Sequence, residues 1–243
     1  MFSFDKRTIY ILVAILLFVA LWQFGSEPGR LMALCLTAPG VLVAITFHEF
    51  AHGLAAYKLG DDTAKNDGRL SLNPLKHLDP IGTLMLLVAG FGWGKPVEVN
   101  PRNYNRNITV EKADAIVSIA GPAMNFVLAI VFTLIYCAMA KFWAGFIMTR
   151  IGTIIFTMIG YTISVNIGLG VFNLLPLPPL DGSKVIIPLL PYNAKEWFRA
   201  NSYVFYIVFL GLYITGLAGV IISPIIEAVT TGILNLAMLI FGL

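Results

Sequence analysis

Residues 33–57 read ALCLTAPGVLVAITFHEFAHGLAAY, an apolar run that carries His48-Glu49-Phe50-Ala51-His52 in its second half. A helix needs about 20 apolar residues to cross a hydrocarbon core, so the run reads as a membrane span. Residues four apart share a helix face, so His48 and His52 can offer ring nitrogens to one metal ion while Glu49 reaches a water on that ion. The pattern is that of a metallopeptidase helix, placed in lipid.

Composition agrees with that setting. Hydrophobic residues make up 58% of the 243 and charged residues 12%, about half the share typical of soluble domains. The net charge of +3 is small and spread along loops, which excludes a nucleic-acid partner. Cys35 and Cys137 lie in apolar segments and read as buried thiols, neither paired nor metal-bound.

Working outward, spans are expected near 8–24, 33–57, 113–140, 151–172, 202–219 and 222–242. The expected fold is an all-α polytopic membrane protein of about six transmembrane helices. Residues 8–24 follow Lys6 and Arg7 as a signal peptide would, but the Gly25 to Gly29 stretch offers no small-x-small cleavage site, so they count as the first span. Two apolar pieces, Ile81 to Trp93 and the proline-rich Leu174 to Leu180, are too short or too broken to span. Irregular backbone at membrane depth must line protein or a cavity, so the proline-rich piece is expected to be re-entrant. Gly94 to Pro101 alternates apolar and polar residues between prolines and is expected to form a short strand or β-hairpin near the membrane surface. No loop is long enough for a separate soluble domain, so residues 1–243 are expected to form one membrane domain, with core motifs from about 31 to 191. Of the 16 lysines and arginines only Arg30, Lys141 and Arg150 fall in the expected outer loops. That bias places both termini in the cytoplasm and His48 and His52 in the cytoplasmic half of the second span.

Catalytic zinc usually takes three protein ligands and keeps a fourth position for water. The long metzincin pattern is excluded, because Ala55 and Lys58 stand where it needs glycine and histidine. Between Asp61 and Asp79 no carboxylate suits a thermolysin-like third ligand. Asp181 is the better candidate: it ends the broken stretch Asn173 to Gly182, where a carboxylate near lipid needs a partner, and the expected topology brings it to the histidines' side. Its competing reading is a helix cap. His77 reads as a fourth ligand, a substrate contact or a loop hydrogen-bonder, and Asn125 as a site residue or a helix cross-link. Gly121 and Pro122 read as helix-packing residues, and Glu227 as a solvated helix start after Pro224.

With these residues in place the chain resembles the site-2 protease family of intramembrane zinc metalloproteases. The resemblance rests on His48 to His52, Gly121-Pro122-Ala123-Met124-Asn125 and Asn173 to Gly182, and extends to Asn73 to Pro80 and Gly92 to Val97. It is to the compact prokaryotic branch, without PDZ or CBS domains. The resemblance implies one Zn2+ bound by His48, His52 and Asp181, with Glu49 as general base and Asn173 steadying the oxyanion or the substrate. The implied activity is regulated intramembrane proteolysis of transmembrane protein or peptide substrates in the cell membrane. A helical substrate must unwind before cutting, and the pieces around Val97 and Pro176 to Pro179 are candidates to pair with it as an added strand. A metal-binding scaffold without activity and a cation transporter are the competing readings. The first needs no general base, and the second lacks support from an inverted repeat.

Overall fold

The computed structural model describes residues 28–89 and 92–243, and among these it is helical without strands. In chain order the helices are α1 (Pro28–Lys58), α2 (Thr63–Asn66), α3 (Pro80–Ala89), α4 (Val110–Phe142), α5 (Ala144–Ile147), α6 (Arg150–Asn173), α7 (Asp181–Ile186), α8 (Tyr192–Ala200), α9 (Ser202–Ile214) and α10 (Leu217–Phe241). Four of the described helices are long and apolar enough to cross a membrane: α1 from Leu31, α4, α6 and α10. They match four of the six expected spans. The expected span at 8–24 lies outside the described residues, and the one at 202–219 meets α9, of 13 residues.

Burial departs from that of a soluble domain in its share of buried polar and exposed apolar side chains. Buried positions include Thr46, His48, His52, Ser118, Asn125, Thr133, Thr162 and Asn166, whereas Val127, Ile130, Val131 and Ile135 of α4 and Leu236, Leu239 and Ile240 of α10 are exposed. Lipid rewards apolar surface, so packing in such a bundle rests on close contact and internal hydrogen bonds. The bundle's apolar seam is Ala129 of α4, Ile163, Ile167 and Val171 of α6 and Ile222 of α10, flanked by Phe126, Ile226 and Val229. Helix α10 begins at Leu217 and holds Pro224 inside it. Glu227 therefore lies about 15 Å into that helix rather than at its start, and its side chain is exposed. Cys137 is buried but Cys35 is exposed among the described residues.

Helix ends set the connections. Gly152 lies so close to the Phe146 carbonyl that a Cβ there would sit 1.9 Å from it, which lets α4 return tightly into α6. The Thr149 side chain caps α6 by accepting from the Gly152 N–H. After α6 the chain turns through the proline stretch and doubles back, so that a Cβ on Gly182 would meet the Leu174 carbonyl at 2.3 Å. This fold-back brings Asp181, at the head of α7, against α1.

The stretch 94–101 does not form the expected strand or hairpin. Among the described residues its only ladder-type contact is one isolated antiparallel bridge between Leu78 and Gly94. Pro96 and Pro101 supply no N–H, and side chains take the neighbouring backbone groups instead. The Arg69 guanidinium donates to the carbonyls of Lys76, Lys95 and Pro96, Glu49 accepts from Val97, and Asp61 accepts from Asn100. The result is an extended strap tied at both ends by buried charged residues.

Burial alone would raise the Asp61 carboxyl, but the Thr63 hydroxyl, the Asn100 N–H, the Asn103 amide and the Thr63 N–H hold it below its ordinary value of 3.8. A folded-state value below the unfolded one means that this stabilisation is present above the ordinary carboxylate range and is lost as pH falls through the folded value. Asp61→Ala is expected to cost about 1–3 kcal/mol, to speed proteolysis within 59–105 at neutral pH, and to flatten the acid limb of the melting curve below pH 3.8. Thermal melting and limited proteolysis across pH read all three effects.

Candidate metal centre

Three helices and one fold-back loop meet at the site. His48 and His52 lie one turn apart on α1, with ring centroids 4.6 Å apart and the rings nearly perpendicular. Asp181 reaches in from the head of α7, its Oδ2 3.2 Å from the Nε2 atoms of both His48 and His52. The two Nε2 atoms are themselves 3.0 Å apart. Both histidines are buried, at 6% and 8% exposure. Among the described residues these three are the group of His, Cys, Asp and Glu side chains able to hold a metal ion.

Each imidazole has its other nitrogen engaged. His52 Nδ1 lies 2.7 Å from the Val117 carbonyl of α4, which can only accept, so Nδ1 carries the proton and Nε2 presents a lone pair. His48 Nδ1 lies 2.6 Å from Asn125 Oδ1, with the same consequence. In their neutral forms the two imidazoles thus turn lone pairs, beside one carboxylate oxygen, toward a single point. Zinc bonds of about 2.0–2.2 Å in a tetrahedron put ligand atoms roughly 3.3–3.5 Å apart, close to the separations found. The donor set fits a zinc ion with an open fourth position.

Glu49 points to the side of this triad. Its Oε2 accepts from the Val97 N–H at 2.8 Å, so the strap passes directly over the motif helix. Asn173 is the last residue of α6, and its Nδ2 donates to the Leu169 carbonyl one turn back. His77 is fully buried outside the triad, with Nε2 2.7 Å from the Ser71 carbonyl, and its Nδ1 has no hydrogen-bond partner among the described residues.

Two residues at the site carry more than the sequence reading gave them. Gly121 of α4 faces both imidazoles: a Cβ there would sit 2.4 Å from His52 Nε2 and 2.7 Å from His48 Cε1. It packs the two imidazoles as well as the helices. Its position four residues before Asn125, on one helix face, was the available signal. Asn166 of α6 is fully buried and donates one hydrogen bond while accepting another from Asn125. Nothing in its local sequence marks it.

A buried two-histidine, one-carboxylate centre with a neighbouring glutamate, inside a bundle of apolar helices, defines a membrane-embedded metallopeptidase. Comparison with known proteins leads to the same class. The model of "Peptidase family M50" matches residues 144–215, which hold Asn173 and Asp181. The Bacillus subtilis protein "Putative zinc metalloprotease YwhC" is 43% identical over 202 residues, 83% of this chain and 90% of that one. The Mycolicibacterium smegmatis protein "Putative zinc metalloprotease Rip2" is 32% identical over 182 residues, 71% of this chain and 64% of that one. The Methanocaldococcus jannaschii protein "Putative zinc metalloprotease MJ0611" is 29% identical over 196 residues, 81% of this chain and 90% of that one. No solved structure matches. The chain belongs to peptidase family M50, the site-2 protease family of intramembrane zinc metalloproteases.

Alanine favours a helix more than glycine does, so Gly121→Ala should leave α4 formed while pushing both imidazoles off the shared point. The expected result is a folded bundle with zinc content well below that of the wild type. Elemental analysis beside a melting curve reads both quantities, and a variant with full zinc would contradict the packing role.

Proposed function

We propose that His48, His52 and Asp181 hold the zinc ion and that Glu49 carries protons as the enzyme hydrolyses peptide bonds within or next to transmembrane segments of its substrates. The convergence of two imidazole nitrogens and one carboxylate oxygen, 3.0 to 3.2 Å apart, carries this reading. Zinc when bound supplies a Lewis acid that makes water nucleophilic near neutral pH and offsets charge on the attacked carbonyl. Glu49 takes the proton from the attacking water and returns it to the leaving amine. The Val97 N–H holds its carboxylate beside the triad. Asn173, eight residues before Asp181, is assigned the oxyanion, through an Nδ2 that turns away from the Leu169 carbonyl when substrate enters.

The substrate reading follows from backbone chemistry. A transmembrane helix hides its carbonyls in hydrogen bonds, so a cleavable segment must unwind and find other partners at the site. The strap from Gly94 to Pro101 is already extended and lies beside Glu49, which suits it to receive an unwound peptide by strand addition. His77 is assigned to holding this loop, and Asn125 to holding His48.

The finer topology is part of the same proposal. Six spans, with residues 8–24 the first and 202–219 the fifth, keep both termini in the cytoplasm, and residues 1–243 act as one membrane domain. The up-down-up course of α1, α4 and α6 supports it, because the site then lies near the ends of α1 and α6 and the start of α4. The proline stretch 174–180 is re-entrant in this arrangement, and the site lies in the cytoplasmic half of the bilayer.

Purified wild type, Glu49→Gln and Val97→Pro are to be compared for zinc content and for cleavage of a panel of model transmembrane peptides. Glu49→Gln should keep its zinc and lose on the order of 10²–10⁴-fold in rate. Val97→Pro, which deletes the N–H that Glu49 accepts, should also keep its zinc and cut more slowly. Activity retained in Glu49→Gln would contradict the assigned chemistry, and unchanged turnover in Val97→Pro would contradict the strap's part in it.

A further inference from the structure

The two zinc-binding histidines are held in different ways. His52 Nδ1 is held by a backbone carbonyl, that of Val117, which no side-chain change can rotate. His48 Nδ1 is held by a side-chain amide, that of Asn125, and an amide can face its partner with either its oxygen or its NH2. Only the oxygen keeps the proton on His48 Nδ1 and the lone pair on Nε2. The reverse orientation calls for a proton on Nε2, the atom that faces Asp181 and His52.

The Asn125 orientation is set by what its other end meets. Nδ2 donates to the Ala44 carbonyl of α1 at 3.1 Å and to Asn166 Oδ1 of α6 at 3.0 Å. Asn166 is oriented in turn, because its own Nδ2 donates to the Thr162 carbonyl at 2.8 Å. A carbonyl cannot donate, so Asn166 must give it the NH2 and keep Oδ1 for Asn125. The polarity therefore runs one way, from the Thr162 carbonyl through Asn166 and Asn125 to His48. Asn125 and Asn166 are fully buried, so water is not there to replace a lost partner.

We propose that Asn166 is a positioning residue of the metal centre: through the Asn125 amide it fixes the proton of His48 on Nδ1 and so keeps Nε2 free and aimed at zinc. This rests on the assignment of His48, His52 and Asp181 as ligands. A polar residue in a span commonly serves only to tie helices together, and Asn166 does join α6 to α4. The direction of the chain and its end on a ligand nitrogen add the second role. A group bonded directly to a ligating histidine, the place Asn125 holds, typically controls metal affinity by about 10- to 100-fold, and Asn166 acts through that group.

The test uses the full chain in nanodiscs, stripped of metal, as wild type, Asn166→Leu, Asn166→Asp and His48→Ala. Zinc affinity is measured by competition with a chromophoric chelator, the ligand field by the visible bands of the cobalt(II)-substituted protein, and folding by melting of the metal-free protein. Asn166→Leu is expected to bind zinc about 10- to 100-fold more weakly and to show altered cobalt bands. Asn166→Asp keeps an oxygen for Asn125 and, when protonated, a donor for Thr162, so it should stay within about threefold of wild type. If the leucine variant does not fold, Asn166→Ser, whose hydroxyl reaches the Thr162 carbonyl but not Asn125, is read in the same assays with the same expected loss. Wild-type affinity and cobalt bands in a folded leucine or serine variant would overturn the proposal and leave Asn166 a helix cross-link. Undiminished zinc binding by His48→Ala would overturn the ligand assignment itself, an outcome separate from the first.

Discussion

Three lone pairs facing one point are the constraint on which the rest of the structure depends. His48 Nε2, His52 Nε2 and Asp181 Oδ2 lie 3.0 to 3.2 Å from one another, with both histidines buried, an arrangement that positive charge, from a metal ion or from protons, holds together. Each flank of the site keeps it that way. Val117 and Asn125 hold the protons on the far nitrogens, Gly121 removes the side chain that would fill the space, and the fold-back at Gly182 presents the carboxylate. The bundle is arranged to hold a metal ion, and family membership identifies that ion as zinc.

The membrane makes such a site expensive and also sharp. Polar groups away from water must find partners within the protein, and here they do so in a connected set on the inner faces of α1, α4 and α6. Outward faces are apolar, as the exposed isoleucines and leucines of α4 and α10 show. The loops next to the site, 59–79 and 92–105, follow the rules of water-soluble structure instead: Asp61 and Arg69 are buried charges that gather backbone donors and acceptors. Through them the strap is held against Glu49, so the soluble edge of the protein and the glutamate of the motif helix are mechanically joined.

Much of this was legible in the chain itself. His48, Glu49 and His52 announce themselves by helical spacing, and Asp181 by the cost of a carboxylate beside apolar, proline-broken sequence. Four spans were readable because hydropathy over about 20 residues is a strong local signal. The strap was misread as a hairpin because alternation of Val97, Glu98, Val99 and Asn100 suggests a ladder, whereas the partners that claimed its backbone, Arg69, Glu49 and Asp61, are distant side chains that periodicity does not report. Asn166 and the contact of Gly121 with both imidazoles were hidden for a related reason. Each is a contact between helices, and the angle at which two helices cross is not written in the sequence of either. Cys35 was misplaced because an apolar residue in a span can face lipid as readily as protein.

The central claim is that one zinc ion is shared by two imidazoles and one carboxylate. X-ray absorption at the zinc edge of the purified, zinc-loaded chain tests it most directly. The account predicts nitrogen and oxygen ligands only, at about 2.0–2.2 Å, with the outer-shell scattering of two imidazole rings that falls to one in His48→Ala. Sulfur ligands, or a spectrum without imidazole scattering, would contradict it.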